Sequence, residues 1–388
     1  MDNYPLRSIF QTAWYLLGYK NAQLPYHTQN VLHHLVHCKT SVMGGHKTTC
    51  NDCGYDSIHY NSCRDRHCPC CQTLNKEKWI DKTKASLVDA PYYHVTVTVP
   101  HDLHPIFRAN EKIMYNLQFR CVSDALKEIS MKEEYKVELE TGFICILHTW
   151  DQKLGYHPHI HVIFLAGGFD ANNEFKHHPR NYLVNHQVLA GKFKAMFMKA
   201  LNELWTMDKL DYKPFSNTEF SKLKLKVKKV KWKAHVKETF KNALYVIEYL
   251  GRYTHRVAIS NSRIVEFNDE TVTFRYKDRK DNNKTKHFTL SIKEFTNRFL
   301  KHILPHRFCK IRYFGILSNR NKANSLSIIR ETTDTEVYES ELADLTTEEI
   351  LIRLFKVDIT RCPKCGSKKL KNNLLIKVPI NFKQVQLE

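Results

Sequence analysis

The sequence predicts an α+β fold: a sheet with helices packed on one face, preceded by a small cysteine-rich domain and followed by a short extension. Three observations predict it. Residues 92–99, 143–150 and 158–164 read as strands, the first and third with period-two alternation, and long stretches of helical spacing separate them. Two Cys-x2-Cys pairs lie close together ahead of those strands. A further Cys-x2-Cys stands far downstream, at Cys362 and Cys365. The expected domains are residues 1–90, 91–320 and 321–388.

At 388 residues the chain is long enough for two or three domains. Its formal net charge of +20 points to an acidic partner, most simply nucleic acid. Nowhere is there a run of about 18 apolar residues, so no membrane span is expected. Met1-Asp2-Asn3-Tyr4-Pro5 lacks the charged-then-apolar form of a signal peptide. Twelve cysteines in such a chain favour metal sites over disulfides. No Gly-Lys-[Ser/Thr] follows the glycine spacing of a phosphate-binding loop, which argues against a nucleotide cofactor.

Residues 1–40 read as two or three short helices, with helical apolar spacing at 31–37. The cysteine block follows. Cys50-x2-Cys53, fourteen residues, then Cys68-x2-Cys71 is the spacing of a four-cysteine zinc site, in which two turns each present two sulfurs to one ion. Cys38, His46, Cys63, His67 and Cys70 are further potential ligands, and Cys70 competes with Cys68 or Cys71. Lys47, Arg64 and Arg66 lie in the same block. A closed zinc site has no chemistry of its own, so its expected role is to hold these cations against DNA.

Residues 72–90 predict a helix that Pro91 breaks. The strand over 92–99 puts His94, Thr96 and Thr98 on one face and Val95, Val97 and Val99 on the other. Residues 105–132 predict an amphipathic helix, 143–150 a second strand and 158–164 a third. In Tyr156-His157-Pro158-His159-Ile160-His161-Val162-Ile163-Phe164, residues i and i+2 share a face. His157, His159 and His161 therefore project together, and Ile160, Val162 and Phe164 face a core. Neutral imidazoles side by side can bind one metal ion.

Residues 189–204 have helical spacing. Over 222–233 lysine alternates with apolar residues, which predicts a strand carrying a lysine row, with a bulge at Lys228-Lys229. Lys224, Lys226 and Lys228 then track phosphates, or else the row is a solvated edge. Trp232 either stacks a base or packs in the core. Residues 240–247 read as a helix that continues into Glu248-Tyr249-Leu250-Gly251-Arg252-Tyr253-Thr254-His255-Arg256. Tyr249 and Tyr253, four apart, share one helical face, with Arg252, His255 and Arg256 around them. Strands at 257–265 and 271–276, a helix at 295–304 and a strand at 311–317 complete the middle of the chain. Cys362-Pro363-Lys364-Cys365-Gly366 is half a zinc ribbon; Cys309 or a histidine completes it, or the pair binds no metal.

The histidine and tyrosine stretches together resemble one family. His159-Ile160-His161 followed by Tyr249 and Tyr253 is similar to the two-tyrosine HUH nucleases, and most closely to the rolling-circle insertion-sequence transposases of the IS91 group. The resembling segments run from about Cys38 to Gly315. They are residues 46–72, 94–100, 147–150, 157–161, 249–263 and 311–315. The resemblance implies a small α+β palm with an antiparallel sheet, and a DNA transposase that nicks and rejoins single strands through a 5′-phosphotyrosine link. It implies Tyr249 and Tyr253 as nucleophiles, and Mg²⁺ or Mn²⁺ held by His159, His161 and a third ligand. His148 is the first candidate for that ligand, with Asp151 and Gln152 as alternatives. Structural Zn²⁺ is implied in the cysteine block, with Cys38, His46, Cys63 and His67 as a second zinc set. At Cys70 the chain departs from the family, which usually has a basic residue there. The implied partners are single-stranded DNA and transposon ends with hairpins, in the cytoplasm of a bacterium and associated with the nucleoid. A replication initiator or relaxase shares the histidine pair and tyrosines but usually differs in the zinc block. A tyrosine recombinase needs no metal. A non-enzymatic zinc DNA-binding protein leaves the aligned histidines and tyrosines without a role.

Overall fold

A computed structural model describes residues 4–88, 90–130, 139–178, 185–238, 251, 258–333 and 338–375. In chain order the first elements are α1 (Pro5–Tyr15), α2 (Tyr26–His37), β1 (Gly45–Cys50), β2 (Asp56–Tyr60), α3 (Gln72–Lys84), β3 (Tyr92–Thr98), α4 (His104–Ala109) and α5 (Glu111–Ser130). Next come β4 (Glu140–Trp150), β5 (Tyr156–Phe169), β6 (Phe175–His177), α6 (His186–Thr206), α7 (Asn217–Lys229) and β7 (Lys233–Glu238). The remainder are β8 (Ile264–Phe267), β9 (Thr271–Asp278), β10 (Lys284–Ser291), α8 (Ile292–Leu300), β11 (Ile311–Gly315), α9 (Lys322–Thr333), α10 (Thr347–Phe355) and β12 (Leu370–Leu375).

These elements gather into two compact units, each discontinuous in sequence. One comprises residues 1–82, 255–303 and 340–388; the other comprises 83–254 and 304–339. The expected boundaries at 90 and 320 ran along the chain, whereas the compact units interleave it.

The second unit is built on an antiparallel sheet of strand order β11-β4-β5-β3-β7, with β6 paired to the end of β5. The fold class is α+β, as the sequence predicts. Period-two alternation gives the sheet two different faces. Val95, Val97, Phe143, Cys145, Leu147, Ile160, Val162 and Phe164 join one core with residues of α4, α5, α6 and α7. On the other face Ile144, Ile146, Ile163 and Leu165 pack with Leu326 and Ile329 of α9. That second face also carries the histidines.

The helix expected over 105–132 is two helices. Asn110 sits between them at φ −139°, outside the helical range. Its buried side chain donates to the carbonyls of Ile106 and Tyr212 and accepts from Tyr212 N–H, so the break is held by specific bonds.

The lysine-rich stretch is a correction. Residues 217–229 form α7, not a strand with a bulge. Ser216 and Glu219 close a reciprocal capping box at its start. Phe220 and Val227 are buried and Leu223 packs on the core, a three-to-four spacing that fits a helix. Leu225, which a strand would have buried, is 62% exposed. Only from Lys233 does the chain become a strand, β7, which pairs with β3. Trp232 is buried against Phe193 and Phe197, so it packs in the core.

In the first unit α1 packs on α8 through Phe10, whose ring lies 4.7 Å from that of Phe299. Two small antiparallel sheets accompany them, β8-β9-β10 and β12-β1-β2. Of the strand expected over 257–265, the described residues 258–263 form none and 264–265 open β8.

Candidate functional site

Three imidazoles converge on the second sheet face. In register His159 on β5 lies opposite His148 on β4 and Thr98 on β3, and His161 lies opposite Ile146 and Thr96. One potential ligand nitrogen from each of His148, His159 and His161 lies within 4.8 Å of the others. A shift in register between His148 and Trp150 marks an irregularity beside His148, a device that re-aims side chains next to sites. His148 and His161 are buried and His159 is half-buried.

Their hydrogen bonds set which nitrogens face inward. His159 Nδ1 donates to the His157 carbonyl at 2.6 Å, which leaves Nε2 with a lone pair for an ion. Nδ1 of His161 is 2.9 Å from His94 Nε2 and 3.2 Å from Thr96 Oγ1. The two Nε2 atoms of His159 and His161 are 3.1 Å apart. Two nitrogens bound at right angles to one ion at ~2.1 Å would be ~3 Å apart, so the pair is spaced as ligands of one centre. Burial, then the charge of Lys237, lowers His94 to about 4, so it serves as a neutral hydrogen-bonding partner. The strand pattern predicts His94 on this sheet face; the β3–β5 register sets it opposite Ile163, and from there its ring reaches His161 diagonally.

Asp151 is committed elsewhere: its Oδ1 accepts the backbone N–H of Lys153 and Gly155 in the β4–β5 turn. The ring of His157 lies 5.2 Å from that of His159. Beside it the Tyr156 hydroxyl is hydrogen-bonded to Tyr115 at 2.8 Å. Burial pushes both phenols above their usual range, so neither suits a nucleophile.

The other expected site residues divide. Tyr249, Tyr253, Arg252 and Arg256 lie outside the described residues. Lys224 and Lys228 share one side of α7 and, with Lys194 and Lys199 of α6, line a groove of ≈ 720 Å³. Lys226 points elsewhere and is paired with Asp102.

The thiols also group differently from the expected set. Cys50 and Cys53 do not share a centre with Cys68 and Cys71. Instead Cys68 and Cys71 join Cys38 and Cys63, and Cys50 and Cys53 join Cys362 and Cys365. In the first tetrad Sγ–Sγ distances are 3.5 Å for Cys38–Cys71, and 3.6 Å for Cys63–Cys71 and Cys68–Cys38. Cys38 follows directly on α2, which brings it to the loop carrying the other three. The downstream Cys-x2-Cys is completed by Cys50 and Cys53, not by Cys309, whose sulfur lies against the Ile311 carbonyl.

His46 and His67, expected with Cys38 and Cys63, stand apart from both tetrads. His46 lies on β1 beside His59. His67 binds Asp65 Oδ1, and His34 binds Asp65 Oδ2. Burial pushes the Asp65 carboxyl up, but the bonds from His67 and His34 outweigh it and hold the group at about 2. This ionised bridge fixes the loop between Cys63 and Cys68. Cys70 lies outside the tetrads too, with its sulfur near Asn261 Nδ2.

The chain is similar in sequence to known proteins. A family model described as "Putative transposase" matches residues 142–325, which span all three histidines. Another, described as "Transposase zinc-binding domain", matches residues 9–99. "Putative transposase y4qJ" of Sinorhizobium fredii is 37% identical over 303 residues, 76% of this chain and 75% of its own. "Transposase for insertion sequence element IS801" of Pseudomonas savastanoi pv. phaseolicola is 28% identical over 339 residues, 85% of this chain and 80% of its own. No solved structure matches the chain. Among the described residues no helix is long and apolar enough to cross a membrane. By these matches the chain belongs to the IS91 family of transposases and carries a transposase zinc-binding domain in its N-terminal part.

Proposed function

We propose that this transposase is a metal-dependent HUH endonuclease and strand transferase that cuts and rejoins single-stranded DNA during rolling-circle transposition. The observation that carries the reading is the convergence of His148, His159 and His161 on one sheet face. In this reading the three imidazoles hold a divalent ion, Mn²⁺ or Mg²⁺. An all-nitrogen donor set favours Mn²⁺ of the two, because affinity for imidazole rises toward the transition metals. Bound there, such an ion would supply Lewis acidity at the scissile phosphate.

The chain's own residues do the rest. The His157 carbonyl and His94 fix the tautomers of His159 and His161, so that both point their Nε2 inward. Tyr249 or Tyr253 attacks phosphorus through its phenolic oxygen. The bond from phosphorus to the DNA 3′ oxygen breaks, that oxygen leaves as a hydroxyl, and a 5′-phosphotyrosine forms. The ester keeps the bond energy, so a free 3′ hydroxyl rejoins the strand without a nucleotide cofactor. Two tyrosines four apart in sequence hold or exchange two strands. Arg252, Arg256, Lys224 and Lys228 neutralise the strand's phosphates, as do Arg64 and Arg66 in the zinc-binding domain. Residues 1–90 are assigned to recognising transposon ends and their hairpins, 91–320 to the chemistry and 321–388 to an extension. Zinc in the first domain is assigned to Cys38, Cys63, Cys68 and Cys71.

The test is a covalent-adduct assay with labelled single strands carrying a transposon end, run with Mn²⁺ or Mg²⁺. The wild-type chain is expected to give a protein–DNA adduct. His159→Ala and His161→Ala should each lower its rate by about a hundredfold or more, a loss typical of removing charge stabilisation at a reacting centre. The Tyr249→Phe/Tyr253→Phe variant should give none. Adduct from that double variant, or cleavage that ignores chelator, would overturn the assignment.

A further inference from the structure

We propose that Cys50, Cys53, Cys362 and Cys365 hold a second structural zinc ion, distinct from the one assigned to Cys38, Cys63, Cys68 and Cys71. The site would clasp together two stretches more than three hundred residues apart in sequence. Its downstream half lies beyond both family matches, which end at residues 99 and 325. The inference goes beyond the nuclease reading and does not depend on it.

The four cysteines sit in two copies of one turn. Cys50-Asn51-Asp52-Cys53-Gly54 and Cys362-Pro363-Lys364-Cys365-Gly366 share the pattern Cys-x2-Cys-Gly. Both glycines take a left-handed conformation, at φ 69° for Gly54 and 76° for Gly366. Each glycine N–H donates to the carbonyl of the first cysteine of its turn, at 2.9 Å in both. Each first cysteine N–H then donates to the carbonyl five residues on, Cys50 to Tyr55 at 2.9 Å and Cys362 to Ser367 at 2.8 Å. Turns of this kind bring two thiols to one side of the backbone, and two such turns complete a tetrahedral shell.

The turns face one another. Cys50 Sγ is 3.6 Å from Cys365 Sγ, and Cys53 Sγ is 3.6 Å from Cys362 Sγ. Four sulfurs at ~2.3 Å from a central zinc stand ~3.8 Å apart, close to the observed spacing. A disulfide would need ~2.05 Å. A shell of four thiolates with tetrahedral geometry suits zinc. Surrounding bonds hold the halves in place. β1 pairs with β12 from Gly45↔Leu375 to Cys50↔Leu370. Asn51 N–H donates to the Lys369 carbonyl, and Ser367 Oγ donates to Asp52 Oδ2 at 2.6 Å. Lys369 Nζ also reaches Asp52, at 3.3 Å.

The test uses the full chain, purified under reducing conditions. Elemental analysis should give two zinc ions per chain, and Cys362→Ser/Cys365→Ser should give one. Cysteine mapping of the wild type keeps the proposal testable should that variant not fold. With zinc bound, alkylation should spare Cys50, Cys53, Cys362 and Cys365 together while labelling the exposed Cys309. A strong chelator should release all four at once. The proposal is overturned by one zinc per wild-type chain with Cys362 and Cys365 alkylated in its presence. Iron in place of zinc, or a disulfide linking the two turns, would overturn it as well.

Discussion

His94 is the residue whose removal separates ligand from support. It touches His161 at Nδ1, on the other side of the ring from the Nε2 that faces His159. Loss of such an outer partner typically costs ten- to a hundredfold in metal affinity. In the adduct assay His94→Ala should therefore raise the Mn²⁺ concentration needed for half-maximal rate by about that factor, with the plateau largely retained. A fall in the plateau at saturating Mn²⁺ would mean that His94 does more than orient its neighbour. Glu111 makes a pH prediction. Burial pushes its carboxyl up to about 7, and the ion pair with Arg108, 40% exposed on the arginine side, does not offset it. A raised acid keeps its proton longer in the folded chain than in the unfolded one. Its stabilising share is thus full below the unfolded value of ~4.3 and is lost as pH rises through about 7. Glu111→Gln should flatten the stability profile between pH 5 and 8, and gain on the order of 2 kcal/mol over wild type at pH 8 in denaturant unfolding. At this scale much of the histidine site was legible. Period two alone put His159 and His161 on one face, and the resemblance pointed to His148. That His94 reaches His161 was not legible, because it depends on Thr96 sitting opposite His161 with His94 on the diagonal, and register is a property of the paired sheet.

Among the elements, β11 depends on one glycine. Gly315 has φ 60°, and a Cβ there would stand 1.8 Å from the Thr141 carbonyl oxygen of β4. Gly315→Ala combines left-handed strain with a backbone collision, so a cost of about 3 kcal/mol or more in denaturant unfolding is expected. A variant as stable as wild type would show that β11 can move away from β4 freely. Helix α7 gives a second prediction. Lys224→Ala/Lys228→Ala should weaken single-strand binding and reduce the slope of log affinity against log salt by about 1.4, two contacts at ~0.7 each. An unchanged slope would remove these lysines from the DNA path. This helix also shows where sequence patterns mislead. Alternating Lys and Leu or Val over a few residues satisfies period two, yet Phe220, Leu223 and Val227 satisfy a helical period across the same stretch. The Ser216–Glu219 cap lies just outside the alternating stretch and decides between the two.

Across the whole molecule, contacts join segments distant in sequence. Residues 255–303 and 340–388 pack with the first 82. Asp81 accepts the backbone N–H groups of Glu341 and Leu342 and the Ser340 hydroxyl. Removing residues 340–388 should therefore destabilise the N-terminal part and release bound zinc, with about one ion lost per chain if the clasp proposed above is present; two retained ions would contradict it. Cysteine spacing in the sequence showed that pairs of thiols were set up to bind metal. It did not show which pairs meet, because every Cys-x2-Cys turn offers the same two sulfurs and the choice of partner is made by the path of the intervening chain. β1 lies between β2, its hairpin neighbour, and β12. A ribosome completes β2 roughly 300 residues before β12, a delay of roughly 15–60 s at bacterial translation speeds. During that interval β1 has one side unpaired, and an open edge of this kind invites pairing with another chain. Lys47, Thr48 and Thr49 make it a polar and partly charged edge, suited to waiting unpaired for a strand that emerges much later.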